Sequence, residues 1–166
     1  IGKLGIGSFA TVWEAHDTEN NINVAIKIIP HDLENADSNW RERLDNEVNV
    51  LNSIHHPHIA EFYKEIEEKD ASYLVFELCE KGTLGHLMLK LGQIPEDQMR
   101  GYFLQISEAL RYLHEEAHII HRDIKIDNIL FDSDNTIKLI DFGLSVHFNP
   151  EEHERFTKIC GSPKYV

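Results

Sequence analysis

Two stretches decide how this chain is read: His121-Arg-Asp-Ile-Lys-Ile-Asp-Asn128 and Asp141-Phe-Gly143. The first packs a general base, cations and an amide into eight residues directly after a helical pattern, too many charges for a plain connector. Between the two lie Ile129 to Phe131 and Thr136 to Ile140, β-rich runs around the polar turn Asp132 to Asn135, which predicts a hairpin. Asn128 starts that hairpin and Asp141 ends it, so the turn folds two oxygen ligands back beside each other. Magnesium prefers a few such oxygens together with phosphate and water, so Asn128 and Asp141 suit a metal shared with a nucleotide. Gly143 then frees the backbone to turn.

Upstream of His121 the period is helical. Leu84, Leu87, Met88 and Leu91 predict a short helix stopped by Gly92, with these four expected in the core. Pro95 opens a longer one, 95 to 114, with Met99, Phe103, Ile106, Leu110 and Leu113 expected on one core-facing side. Before Gly82 the composition favours strands. Thr11 to Ala15 and Asn23 to Ile29 flank a polar turn at 17 to 21, and 59 to 67 and 72 to 78 flank another at 68 to 70. Between these pairs Leu44, Val48 and Leu51 predict a helix over 37 to 54, capped by Asp37 or Ser38. The expected architecture is α+β: a small antiparallel sheet with one helix over 1–78, a connector at 79–83, and a mainly helical part over 84–166.

Leu4-Gly-Ile-Gly-Ser-Phe-Ala-Thr-Val12 places Gly5 and Gly7 between two strands, where backbone amides can approach a phosphate unobstructed. A plain hairpin turn is the alternative. Lys27 in Val24-Ala-Ile-Lys27 sits among apolar neighbours, where an ammonium needs an anion. It is otherwise an edge lysine reaching solvent. Glu47 lies between Leu44 and Leu51 on the inward helical stripe and can supply that anion, unless it marks the stripe's wet margin.

Composition narrows the field further. With 42% hydrophobic residues among 166, the chain buries a core, and its longest apolar run, Tyr73 to Phe76, is far below the ~18 residues of a membrane span. A formal charge of −13 disfavours nucleic acid and anionic membrane. A basic protein or a metal-neutralised anion fits better. Two cysteines, Cys79 and Cys160, suit a reducing, intracellular compartment, and no signal peptide is visible in a sequence that begins at Ile1.

In order and spacing, the Gly-rich loop, Val-Ala-Ile-Lys27, Glu47, His121-Arg-Asp-x-Lys-x-x-Asn128 and Asp141-Phe-Gly143 resemble eukaryotic serine/threonine protein kinases over essentially the whole chain. The resemblance implies a two-lobed fold, ATP and Mg2+ as cofactors, and phosphoryl transfer to serine or threonine of a protein substrate. It implies that Lys27, paired with Glu47, holds the α and β phosphates, that Asp123 orients and deprotonates the hydroxyl, that Lys125 steadies the γ-phosphate, and that Asn128 and Asp141 bind the metal. Around the nucleotide it places Gly5, Ile6, Gly7, Ser8, Phe9 and Ala10 in the loop. It also places Leu4, Val12, Ala25 and Leu130 against the adenine, Phe76 behind it, and Glu77 and Cys79 as connector backbone. Leu51, Phe62, His121 and Phe142 would stack as a packing column, and Ser162 would bond near Asp123 and Lys125. Polo-like kinases resemble the chain in the Ser8-Phe-Ala10 loop, Asn46-Glu47-Val48 and the 150 to 163 segment. That likeness implies a cytoplasmic or centrosomal location.

Departures bear on regulation. Ala10 replaces the usual third glycine, and Lys158 stands where many relatives carry the activating threonine, with Thr157 one residue earlier. That leaves the pairing of Arg122 with a phosphate in question. The family continues into Ala-Pro-Glu where this sequence reaches Tyr165-Val166, which implies a fragment of a catalytic domain. Two rivals remain. One is a pseudokinase scaffold, against which Lys27, Glu47, Asp123, Asn128 and Asp141 all stand. The other is zinc proteolysis through His114-Glu-Glu-Ala-His118 with His121, against which stands the bland reading of histidines at a helix's negative pole. His55, His56 and His58 around Pro57 read as a turn.

Overall fold

Alternating β-formers build the sheet that carries the glycine loop and Lys27. The computed structural model describes residues 1–7, 10–31, 39–152 and 160–165. Ser8, Phe9, Thr157, Lys158 and the expected caps Asp37 and Ser38 lie outside them. Strands β1 (Gly2–Ile6), β2 (Thr11–Asp17), β3 (Ile22–Pro30), β4 (Phe62–Glu67) and β5 (Ala71–Glu77) form one antiparallel sheet in the order β1-β2-β3-β5-β4. Val12 opposes Lys27, Lys27 opposes Leu74, and Ala25 opposes Phe76. Because strand side chains alternate, Val12, Ala25, Lys27 and Phe76 share one face. The other face carries Trp13, Ile26, Val75 and Tyr73, with the Lys3 ammonium 5.6 Å from the Trp13 ring centroid.

The chain forms two compact units, Ile1–Asp45 with Glu61–Leu78, and Asn46–Ala60 with Cys79–Val166. This differs from a single cut at 79–83, since residues 46 to 60 go with the second unit. Helix α1 (Trp40–Ser53) therefore contributes to both. The expected strand beginning at 59 starts instead at Phe62, because Ile59 and Ala60 pair with Leu139 and not with the sheet.

In the second unit, α2 (Leu84–Leu91) starts at Thr83, whose hydroxyl accepts from the His86 N–H at 3.0 Å, and stops at Gly92 with φ 72°. Helix α3 (Glu96–Arg111) follows Pro95 and runs into a π turn, Tyr112–Glu116, so the single helix expected over 95 to 114 changes its hydrogen-bond register near its end. The core-facing stripe also needs correction. Tyr102, Ala109 and Leu113 are buried, whereas Phe103 is 66% exposed. Tyr102 wins because its ring meets Phe131 edge-on at 4.9 Å and its hydroxyl takes the Gln98 amide at 2.7 Å. On α2 only Leu84 of the four expected core residues is buried, and Leu91 is half exposed. Short strands complete the unit: β6 (Ile119–Ile120) pairs with β9 (Val146–His147), and β7 (Ile129–Phe131) with β8 (Ile137–Leu139). Among the described residues no helix is long and apolar enough to cross a membrane.

Candidate active site

Strand β6 delivers the chain into the loop 121–128 with its histidine turned inward. His121 is 1% exposed. Its Nδ1 accepts the Asp123 N–H at 3.2 Å and its Nε2 faces the Ile140 carbonyl at 3.0 Å, which fixes the neutral Nε2–H tautomer. Burial holds its pKa below the usual imidazole value. The ring lies 4.8 Å from that of Phe142, also buried. With both nitrogens committed, His121 is not poised as a ligand to a metal.

Asp123 is the hub. Its Oδ2 takes the Lys125 ammonium at 2.7 Å and the Asn128 amide at 3.1 Å, and its Oδ1 takes the Ser162 N–H at 2.9 Å and hydroxyl at 2.8 Å. Lys125 also donates to the Ser162 hydroxyl at 2.7 Å, which closes the ring of contacts. Burial alone would raise the Asp123 carboxyl, but the bonds from Lys125, Ser162 and Asn128 outweigh it and hold it below the ordinary carboxylate range. The placing of Ser162 beside Asp123 and Lys125 is as expected.

A 3-10 turn (Ile126–Asn128) brings Asn128 to the mouth of the β7–β8 hairpin, where the Ile140 N–H donates to the Asn128 carbonyl at 3.0 Å. The Asn128 amide nitrogen is spent on Asp123, reaching its carbonyl at 2.9 Å as well, so its side chain offers an oxygen. Asp141, at the other lip of the hairpin, is exposed and held at φ 66° in the left-handed region. The two oxygen donors thus flank the open end of one hairpin, a hard-cation donor set. A Cβ at Gly143 would crowd Glu47 Oε2 at 3.3 Å and Asp141 Oδ1 at 3.4 Å, so these carboxylates would have to shift by a few tenths of an ångström to admit one. Glu47 is 5% exposed.

Arg122, also at φ 66°, donates from Nε to the Leu144 carbonyl at 2.6 Å, and the other regulatory candidate, Thr157, lies outside the described residues. Ser145 donates through its N–H and hydroxyl to the Phe142 carbonyl, and its own carbonyl accepts the Asn46 amide at 2.9 Å. Leu130 bridges to Thr83 in the same unit, and Asp127 is exposed.

In the first unit the glycine loop closes through the Gly7 N–H on the Ala10 carbonyl at 2.8 Å. Among the described residues, its chain neighbours apart, nothing lies within 4 Å of where a Gly5 Cβ would stand, which leaves room there for a phosphate. Leu4 and Ile6 are exposed beside it. Phe76 contacts Phe62 with ring centroids 5.4 Å apart, and the Glu77 N–H is taken by the Glu61 carbonyl at 2.9 Å. Cys79 is partly exposed.

Four histidines outside this loop make contacts within the fold. His114 is exposed in the π turn, its carbonyl 3.3 Å from His118 Nδ1, while the His118 ring meets Phe148 edge-on. His56 stacks on Tyr112 at 5.1 Å and burial lowers its pKa. His58 reaches the Ile137 carbonyl at 3.3 Å and Glu108 at 3.4 Å. Among the described residues no group of three or more His, Cys, Asp or Glu gathers to hold a metal. The hydrogen bond from Asn46 to Ser145, and the β6–β9 pair that anchors the segment after Gly143, had no signal in residue type or spacing.

Compared with known proteins, residues 1–166 match the family model described as "Protein kinase domain". The serine/threonine-protein kinase PLK2 of Mus musculus is 38% identical over 163 residues, 98% of this chain and 24% of that protein. The hormonally up-regulated neu tumor-associated kinase of Homo sapiens is 39% identical over 165 residues, 99% of this chain and 23% of that protein. The serine/threonine-protein kinase SIK1 of Mus musculus is 38% identical over 163 residues, covering 98% and 20%. The chain spans about a quarter of the length of the first two of these relatives.

Proposed function

The chain belongs to the protein kinase family, and from that premise we propose that it transfers the γ-phosphate of ATP to serine or threonine hydroxyls of a protein substrate. The observation that carries this reading is the closed network of Asp123, Lys125, Asn128 and Ser162. Asp123 is held ionised with its two oxygens fixed, so an incoming hydroxyl meets an oriented acceptor. A carboxylate of lowered pKa is a weak base, so its main work is to aim the hydroxyl and to accept the proton late. Lys125, anchored by Asp123 and Ser162, places a fixed ammonium where charge accumulates on the transferring group.

The donor set fits a hard cation. Asn128 and Asp141 would hold a magnesium ion, which when bound neutralises phosphate charge. The open space over Gly5 and the Lys27 ammonium on β3 would receive the phosphates. Val12, Ala25 and Phe76, on the same sheet face, would meet the base. Lys27 would act with Glu47. The partner would be a protein, in keeping with the negative charge.

Asp123→Asn tests the assignment in the full-length protein. Transfer of labelled phosphate from ATP to a protein substrate should fall on the order of 10²-fold or more in kcat. Near-normal turnover by Asp123→Asn would remove Asp123 from that role, and a wild-type protein that folds and binds nucleotide without transferring phosphate would support the scaffold reading.

A further inference from the structure

Asn46 sits mid-helix in α1, where asparagine is intrinsically a poor choice. Its side-chain amide leaves the helix and donates to the Ser145 carbonyl at 2.9 Å, across 99 residues of sequence. The acceptor is itself held in place. Ser145 is 1% exposed and donates through both its N–H and its hydroxyl to the Phe142 carbonyl, closing residues 142 to 145 into a tight turn. One residue along α1, the Glu47 carboxylate lies so close to Gly143 that a methyl group there would meet it at 3.3 Å. Two consecutive residues of α1 thus engage the turn that follows Asp141, one by a directed hydrogen bond and one by close contact. Arg122 holds the same turn from the catalytic loop through the Leu144 carbonyl.

We propose that Asn46 is a positioning residue: its amide ties the turn after Asp141 to α1 and so fixes the Asp141 carboxylate at the lip of the hairpin opposite Asn128. Asp141 needs such support because it is exposed and its φ of 66° is costly for a residue with a Cβ. A hydrogen bond made to the carbonyl of a residue that two other hydrogen bonds already hold transmits position, since that residue resists following a displaced donor. The role rests on the phosphoryl-transfer reading of the same site.

The test uses the full-length protein with Asn46→Ala, Asn46→Asp, which keeps the shape and removes the donor, and Asn46→Gln, which keeps the donor on a longer arm. Kinetics give kcat, KM for ATP and the magnesium concentration for half-maximal rate, while hydrogen exchange of residues 142–148 reads the turn without reference to activity. Loss of the donor should lower kcat about five- to tenfold, raise the magnesium requirement and speed exchange at 142–148, with melting temperature little changed and Asn46→Gln recovering part of each. If Asn46→Ala fails to fold, Asn46→Asp carries the same comparison. Unchanged kcat and magnesium requirement in a folded donor-less variant would overturn the proposal, as would loss of stability alone. Wild type and Asp123→Asn measured in parallel separate the two levels: a folded wild-type protein that transfers no phosphate removes the phosphoryl-transfer reading, whereas an inactive Asp123→Asn beside a fully active Asn46→Ala removes only the role of Asn46.

Discussion

The loop 121–128 and the helical pair α2–α3 lie in the same unit and are organised by opposite means. In the loop, His121, Asp123 and Asn128 are polar yet buried, and each is fixed by directed bonds that leave little choice of partner. In the helices, apolar residues are plentiful and their placement is settled by packing, which leaves Leu89 at 84% and Phe103 at 66% exposure. Buried polar groups are costly unless every bond is made, so such a loop tolerates one arrangement. An apolar stripe tolerates several, because burial is non-directional. Activity should therefore be lost by single-atom changes near the loop, and stability by volume changes on the buried side of α3.

The largest effect tests the directed side of the contrast. Lys27→Met removes one ammonium and little volume from β3, so phosphotransfer should fall on the order of 10²-fold or more. The melting temperature should move by a few degrees at most. A variant that phosphorylates as well as wild type would remove Lys27 from the site, and one that unfolds would make Lys27 a structural residue of the sheet.

The next effect tests the packing side. Leu113 has no exposed surface, and Leu113→Ala should destabilise the fold by about 2–5 kcal/mol in denaturant titration. Phe103→Ala, which deletes a larger side chain from an exposed position, should cost about 0.5 kcal/mol or less. A reversed order would show that Phe103 is covered in solution and that the stripe Met99, Phe103, Ile106, Leu110, Leu113 faces the core after all.

The same contrast explains what could be read in advance. Lys27, Glu47, Asp123, Asn128 and Asp141 announce themselves by residue type and order, and the turn Asp132 to Asn135 predicts the hairpin that carries the last two to its open end. Ser162 was placed beside Asp123 and Lys125 through likeness to kinases, and the geometry agrees. Helix faces were harder, because positions 102 and 103 both extend a stripe at helical spacing and differ by about 100° around the axis. Choosing between them needed the Phe131 ring. The π turn changes register without any change in composition, and β6 and β9, two residues each, are too short for a periodic signal. Residues 46 to 60 belong to the second unit, and at their end His58, Ile59 and Ala60 pair with Leu139, a long-range partner that no local pattern names.

The smallest effect concerns how acid acts on the loop. His121 and His56 are both held below the ordinary imidazole pKa by burial, His56 also by the nearby His58, so the folded protein binds fewer protons than the unfolded chain. The sign follows: their contribution to stability is complete above about pH 6.5 and is lost as the pH falls through that value toward the folded pKa, by at most about 1.4 kcal/mol per pH unit for buried His121 and by less for His56, where solvent screens the charge. Asp123 acts in the same direction but in a lower window, since a lowered carboxyl contributes above about pH 3.8 and loses that contribution only below it. Denaturant titrations from pH 7.5 to 5 should therefore show stability declining before any carboxylate is involved. His56→Gln should flatten part of that slope while leaving phosphotransfer at pH 7.5 unchanged, because His56 stacks on Tyr112, away from the loop that holds Asp123. The His121 share should persist in that variant, since protonating its Nδ1 removes the acceptor of the Asp123 N–H and the cost is paid inside the directed network itself. A stability that is flat between pH 7.5 and 5 would mean that both rings are wetter than their burial implies, and the loop would then be less tightly determined than helices α2 and α3.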